Sequence, residues 1–264
     1  MYDFIIAIIL GIVEGLTEFL PVSSTGHLIL AQQLLGADGP KWNDFSIMIQ
    51  LGAILAVVVL YFQRLWSVLI RLPSDPAARH FAAVVIVGVI PSLLLGALFG
   101  SKIKALFFNP LTVGIMLILG GLVILLVESI VREARYDNVE RVPLLTGLGI
   151  GLIQVVSMIP GTSRSGATII GGYLLGLDRK TAAEYSFFLA IPTMLAAFAY
   201  EAYKELGAMD WSASGVLAVG FVTSFISALL VIKPFIAFIS RRGFAPFAYY
   251  RVALGVLVLT IMWL

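Results

Sequence analysis

The sequence predicts an all-α integral membrane protein: about ten helical segments, arranged as two re-entrant helical hairpins and six full spans, with an inverted-topology internal repeat. Three observations carry that prediction. Of the 264 residues, 60% are hydrophobic and only 12% charged, against roughly 45–50% and ~25% in ordinary globular chains. The apolar runs are spread over the whole chain, with a mean hydropathy of +1.04, so the chain reads as one membrane domain, 1–264, with no room for a large soluble part. The two halves also resemble each other, with repeat one at about 1–135 and repeat two at about 140–264.

Taken in order, the apolar stretches fall at about 4–20, 23–36, 45–62, 80–99, 111–130, 144–159, 165–177, 182–203, 214–239 and 246–264. The first has Asp3 where a signal peptide has a basic region and runs directly into Glu14, Glu18 and Pro21, so it is expected to belong to the mature fold. Crossing ~30 Å of hydrocarbon takes about 20 helical residues. The stretches 23–36 and 165–177 are shorter than that and follow breaks at Pro21 and Pro160. Paired with 4–20 and 144–159, they read as hairpins whose irregular tips lie inside the membrane, where protein or a watery cavity must surround them.

The repeat supports this reading. A shift of 139 residues lays Pro21 on Pro160 and Ser24 on Ser163; a shift of 140 lays Gly26 on Gly166, Leu34-Leu35-Gly36 on Leu174-Leu175-Gly176 and Phe45-Ser46 on Tyr185-Ser186. Looser matches put Gly88 on Gly220 and Ser92 on Ser224. One hairpin and three spans per repeat turn the second repeat over relative to the first, so the two tips should meet near the midplane. One face then carries Lys41, Lys102, Lys104 and Lys204, and the other Arg64, Arg71, Arg79, Arg132, Arg135, Arg141, Arg179, Lys180, Arg241 and Arg242. The basic face is cytoplasmic, which puts both termini outside.

Composition excludes several classes. The net charge of +2 comes from dispersed basic residues, giving no case for nucleic-acid binding. There is no cysteine, which removes disulfides, thiolate nucleophiles and Cys-ligated metals.

The chemistry concentrates at the two breaks. Glu14 and Glu18, four apart in the first run, share a helix face. Translocon scales assign ~2.5–3.5 kcal/mol to an acidic side chain at mid-membrane, so the pair calls for a cation, a proton or a basic partner. Hard oxygen ligands suit Mg²⁺ or Ca²⁺; a protonated or snorkelling pair is the plain alternative. The first tip reads Pro21-Val22-Ser23-Ser24-Thr25-Gly26-His27 and the second Pro160-Gly161-Thr162-Ser163-Arg164-Ser165-Gly166-Ala167-Thr168. Each is a hydroxyl-rich helix start whose free N–H groups suit an anion, although Ser and Thr are also ordinary N-caps. Arg164 is a planar fork that fits phosphate oxygens, with a structural salt bridge to Glu14 or Glu18 as the alternative. His27 suits proton transfer or attack on phosphorus. His80 is expected at the surface, and Glu128, Glu184, Lys233 and Arg251 as helix-end snorkels or packing pairs.

In these motifs the chain resembles the undecaprenyl pyrophosphate phosphatase family, also known as the bacitracin-resistance proteins. The resemblance rests on Glu14-Gly15-Leu16-Thr17-Glu18, on 21–27 and on 160–168. It implies a bacterial inner-membrane enzyme that hydrolyses undecaprenyl diphosphate to undecaprenyl phosphate and phosphate with a divalent cation, recycling the carrier of cell-wall building blocks, with the site open to the periplasm. Carried onto this sequence, it implies that Arg164 grips the diphosphate with Ser163, Ser165, Thr168 and the tip residues Ser23, Thr25 and Gly161. Glu14 and Glu18 would hold the metal or act as base. Ser24 activated by His27, His27 itself and a metal-activated water all stand as nucleophiles, with Ser24 and His27 ranked first. A polyprenyl diphosphate and membrane lipid are the expected partners, with a homodimer allowed for. A transporter or flippase of a polyprenyl phosphate is the competing reading.

Overall fold

The computed structural model describes residues 1–37, 39–107, 109–131, 133–204 and 214–263, and within them the protein is helical almost throughout. Eleven α-helices follow one another: α1 Tyr2–Thr17, α2 Ser24–Leu35, α3 Pro40–Leu60, α4 Phe62–Arg71, α5 Pro76–Phe107, α6 Pro110–Ile130, α7 Leu144–Gln154, α8 Arg164–Leu174, α9 Arg179–Lys204, α10 Ser214–Arg242 and α11 Ala245–Trp263. Short 3-10 turns at Val139–Arg141 and Val155–Met158 flank α7. Arg132 and Leu264, both within the expected segments and loops, lie outside the described residues, as do the side chains of Lys104 and Lys204.

Local chemistry sets the boundaries. Pro40, Pro76 and Pro110 open α3, α5 and α6, where a missing N–H costs nothing. The Asn109 side chain caps α6 by accepting from the Thr112 amide at 2.8 Å. Gly36 ends α2 in the left-handed region at φ 61°, the conformation glycine adopts without steric cost.

Among the described residues, five helices are long and apolar enough to cross a bilayer: Pro76–Gly100, Pro110–Ile130, Arg179–Tyr200, Ser214–Arg242 and Ala245–Met262; the bent pair Asp44–Leu60 and Phe62–Arg71 brings the count to as many as six. The helical membrane class is thus as expected. One helix is additional: α4 occupies what reads in the sequence as the basic loop after the 45–62 stretch, turned 71° from α3. It has no buried residue, and Phe62, Trp66, Leu69 and Ile70 are exposed.

The molecule is apolar outside and carries its polar groups within, as a bilayer requires. Leu, Ile and Val side chains dominate the exposed surface of α5, α6 and α10, while Glu14, Glu18, Ser163, Ser165 and Arg251 are buried. The main core runs from Phe19 through Tyr185, Phe187 and Phe188 to Phe235 and Phe244, and Phe19 meets Phe187 edge to face at 5.2 Å. α1 packs on α10 and α7 on α5, while α6 pairs with α11. A Cβ at Gly15 would collide with the Ser224 carbonyl, and one at Gly151 with the Gly88 carbonyl. Small residues therefore let these backbones touch, the usual basis of helix association in lipid.

Candidate active site at the two helix breaks

The site forms where α1 and the 3-10 turn after α7 stop and α2 and α8 begin. At each break a serine holds a backbone conformation that L-residues rarely adopt: Ser23 at φ 72° and Ser163 at φ 75°. The reward is a cap. Ser23 Oγ accepts from the Gly26 amide at 3.4 Å, and Ser163 Oγ from the Gly166 amide at 3.0 Å. The remaining first-turn amides and the positive dipole ends of α2 and α8 stay at the breaks. Non-glycine residues at positive φ cluster at functional sites because the surroundings must hold them there.

Glu18, the C-cap of α1, is the junction of the site. Its Oε2 accepts from Ser24 Oγ, and its Oε1 accepts from Arg164 Nη2 at 2.9 Å. The arginine also donates from Nη1 to the Ser186 carbonyl at 3.1 Å and lies over the Phe19 ring at 5.8 Å. One turn earlier on the same face, Glu14 is fully buried. Its carboxylate oxygens accept no hydrogen bond from a donor among the described residues and lie against the Glu18 carboxyl group, a costly state for two charges away from water. Two adjacent carboxylates, one with both oxygens uncommitted, suit a hard cation whose remaining ligands come from phosphate. Among the described residues no three His, Cys, Asp or Glu side chains converge, so such a cation would rest on these two carboxylates and the substrate.

The expected partnership of Ser24 with His27 is not the one that forms. His27 Nδ1 donates to the Ser23 carbonyl at 2.7 Å, and Nε2 lies 2.6 Å from Tyr250 Oη. With Nδ1 carrying the proton, a neutral ring accepts from tyrosine at Nε2, and both nitrogens are engaged. The two rings also stack, 7° from parallel.

A cavity of about 120 Å³ sits between the breaks, lined by Glu18, Ser23, Ser24, Thr25, Gly161, Ser163 and Arg164 among the residues named from the sequence. Ser165 and Thr168 are turned away from it. Ser165 Oγ donates to the Leu20 carbonyl at 2.8 Å, and Thr168 Oγ1 bonds the Arg164 carbonyl at 2.9 Å and Ser186 Oγ at 2.6 Å. Ser165 Oγ also lies 3.1 Å from Ser163 Oγ, so it braces the two breaks from behind the cavity wall, while Thr168 faces α9. The cavity opens at Thr25, Gln50, Ser157, Pro160 and Met194 into a larger vestibule of about 930 Å³, walled chiefly by apolar residues such as Leu28, Ile29, Leu51 and Ala97.

Several residues escaped the sequence reading. Ser186 holds Arg164 through its backbone carbonyl at 3.1 Å and more loosely through its hydroxyl at 3.5 Å, yet it stands outside both motifs. Gln50 and Ser157 line the cavity but stand outside both motifs. Arg251 is no helix-end snorkel: it is 1% exposed and bonded only to carbonyls. Glu128 does pair, with Arg179 at 3.0 Å, and Glu184 approaches Arg64 at 3.7 Å. Lys233 is exposed. His80 is half-buried, 3.0 Å from the Val142 carbonyl, rather than free at the surface.

Fold and site together define a multi-pass membrane protein that gathers carboxylates, hydroxyls and a guanidinium at a cavity between two broken helices. The chain belongs to the family described as Bacitracin resistance protein BacA, whose sequence model matches residues 7–257. It is 48% identical to the Undecaprenyl-diphosphatase of Caulobacter sp. (strain K31), covering 100% of this chain and 99% of that one. It is 50% identical to the Undecaprenyl-diphosphatase of Rhodopseudomonas palustris (strain BisA53), over 97% of this chain and 96% of that one. With the Undecaprenyl-diphosphatase 2 of Paramagnetospirillum magneticum (strain ATCC 700264 / AMB-1) it shares 49% identity, over 96% of each chain.

Proposed function

We infer that this protein is an undecaprenyl-diphosphate phosphatase, releasing phosphate from the lipid diphosphate and returning undecaprenyl phosphate to cell-wall synthesis, with bacitracin resistance as a consequence. The observation that carries the reading is the hydrogen-bonded line from Ser24 through Glu18 to Arg164 at a small polar cavity that opens into a large apolar vestibule. That shape matches a diphosphate on a long hydrocarbon tail. The relatives' names speak for hydrolysis and lend nothing to the competing transport reading.

In the reaction we propose, Ser24 Oγ attacks the terminal phosphorus while Glu18 takes its proton, the arrangement of a nucleophile with its base. The bond from that phosphorus to the bridging oxygen breaks, and the electron pair leaves on undecaprenyl phosphate. Water then attacks the phosphoserine, Glu18 returns the proton it took to the departing Ser24 oxygen, and dihydrogen phosphate leaves carrying both protons of the water. Arg164, Ser163 and the amides of the two helix starts hold the equatorial oxygens, where charge is greatest in transfer. Glu14 and Glu18 would hold a Mg²⁺ or Ca²⁺ ion, which supplies neutralising charge for the phosphate oxygens. His27, fixed by Ser23 and Tyr250, orients the start of α2 rather than activating Ser24.

The excess of Arg and Lys on the face carrying Arg64, Arg71, Arg79, Arg141 and Arg179 supports an inner-membrane orientation with that face cytoplasmic, the termini outside and the site open to the periplasm. The reciprocal packing of α1 on α10 and α7 on α5 supports the inverted repeat, because each first helix meets the fourth-position helix of the other half.

Phosphate release from undecaprenyl diphosphate by the purified protein in detergent tests the reading, with Ser24→Ala and Arg164→Ala beside it and EDTA as the metal control. Release by wild type, its loss in both variants and its suppression by EDTA with recovery on adding Mg²⁺ or Ca²⁺ are expected. No release from folded, metal-supplied wild type would overturn the phosphatase assignment, and full turnover in EDTA would remove the cation.

A further inference from the structure

Arg251 stands in α11, a helix that carries none of the site motifs. Its guanidinium is enclosed, and each contact is to a backbone carbonyl: Nε to Leu117 O at 3.4 Å, Nη1 to Pro21 O at 3.2 Å, and Nη2 to Met116 O at 3.1 Å and Gly161 O at 3.0 Å. Pro21 lies in the first break and Gly161 in the second, while Met116 and Leu117 lie in the middle of α6. One side chain therefore ties both breaks to a single continuous helix.

The sequence is adapted to this contact. Mid-helix carbonyls are ordinarily screened by side chains, but α6 has Gly120 beside Met116 and Leu117, and a Cβ there would collide with Arg251 Nη2. On α8, a Cβ at Gly166 would lie 3.2 Å from Arg251 Nη1. Helix breaks leave carbonyls without intrahelical partners, and inside a membrane no water serves them. A guanidinium, with five donors in a rigid plane, can satisfy several carbonyls at once where an ammonium cannot. Among the described residues Arg251 has no acidic partner. Its charge adds to the positive ends of α2 and α8 and to Arg164 around a cavity that has to receive an anion.

We propose that Arg251 is a positioning residue for phosphoryl transfer, holding the Pro21 and Gly161 carbonyls at one fixed separation so that the Ser24–Glu18 pair and Arg164 face the same phosphate. This rests on the phosphatase reading above. The two breaks belong to parts of the chain some 140 residues apart, and a shift of about 1 Å between groups that act together can cost about 100-fold in rate.

Two readouts test it. In phosphate release, Arg251→Met and Gly120→Ala should each lower kcat per folded molecule by about 100-fold with little change in KM. Arg251→Lys, which keeps the charge without the fork, should recover only part. Gly120→Ala should cost less in the Arg251→Lys background than in wild type, because the thinner side chain leaves room for the methyl. A purely structural arginine would instead lower the folded yield and leave kcat of the surviving protein unchanged. The second readout needs no activity. The chain has no cysteine, so spin labels at Leu34→Cys and Leu174→Cys, both exposed, report the separation of α2 and α8. A narrow distance distribution that broadens in Gly120→Ala or Arg251→Met is expected. An unchanged distribution, or wild-type kcat in folded Gly120→Ala or Arg251→Lys, would overturn the proposal, whereas absent hydrolysis in wild type alone bears on the phosphatase reading.

Discussion

Glu18 accepts from Ser24 with one oxygen and from Arg164 with the other, and so joins the two groups that act on the phosphate. Replacing it by glutamine keeps the size and one acceptor but puts an amide against the Ser24 hydroxyl, which can no longer pass on its proton. Glu18→Gln should therefore lower kcat by about 10²–10⁴-fold with a smaller change in KM, the range for loss of a general base. Ser24→Ala added to it should cost little more, because residues acting as one unit are strongly non-additive. Steady-state phosphate release on the two single variants and the double one checks this, and losses that multiply would separate the two residues. The residue types at this site were legible in the sequence, as membrane-depth charges and hydroxyls seldom occur without purpose. The pairing was not. Their place on one tip and a hydroxyl's need for a base suggest Ser24 with His27, but the break turns the start of α2 back over the end of α1 and delivers the serine to a carboxylate six residues earlier. The lack of a donor to the Glu14 oxygens was equally invisible, since it depends on how distant segments pack around α1.

At the scale of single elements, the two half-helices were the most readable part of the chain: α2 and α8 fall within 23–36 and close to 165–177, because Pro21, Pro160 and the following serines punctuate the sequence strongly. Each begins on a serine that both caps the helix and holds a positive φ. These two demands separate on substitution. Ser163→Gly loses the cap but takes up φ 75° freely, whereas Ser163→Ala loses the cap and keeps the strain. The alanine variant should therefore be the less stable of the two by about 1 kcal/mol, read as the difference in thermal unfolding midpoint in detergent. Equal midpoints would mean that the backbone strain has little energetic weight. The element that escaped notice was α4. Its Arg64 and Arg71 read as loop charges, but Arg64 bonds Glu140 at 3.1 Å, and the exposed Phe62 and Trp66 rings stack beside it. Its ten residues mix charged and apolar side chains, so its composition resembles neither a span nor a loop.

For the molecule as a whole, the orientation proposed from loop charge has a direct consequence. Lys41, paired with Asp3 at 2.7 Å, and Lys102 belong to the face placed outside; Arg79 belongs to the basic face. With no native cysteine to interfere, Lys41→Cys and Lys102→Cys should react with a membrane-impermeant maleimide on intact spheroplasts, and Arg79→Cys only after the membrane is opened. The reverse pattern would invert the protein. The sequence by itself determined the solvent, the helical class, the two breaks and the residue types gathered there, because hydropathy, proline and buried charge act locally and leave their mark in composition. Only the tertiary structure decided which partners meet: Ser24 with Glu18, His27 with Tyr250, Arg164 with the Ser186 carbonyl, and Arg251 with carbonyls from three distant segments. Those contacts join residues up to 230 apart in the chain, many through backbone atoms that every residue carries, and their choice depends on how helices with small contact residues pack against one another.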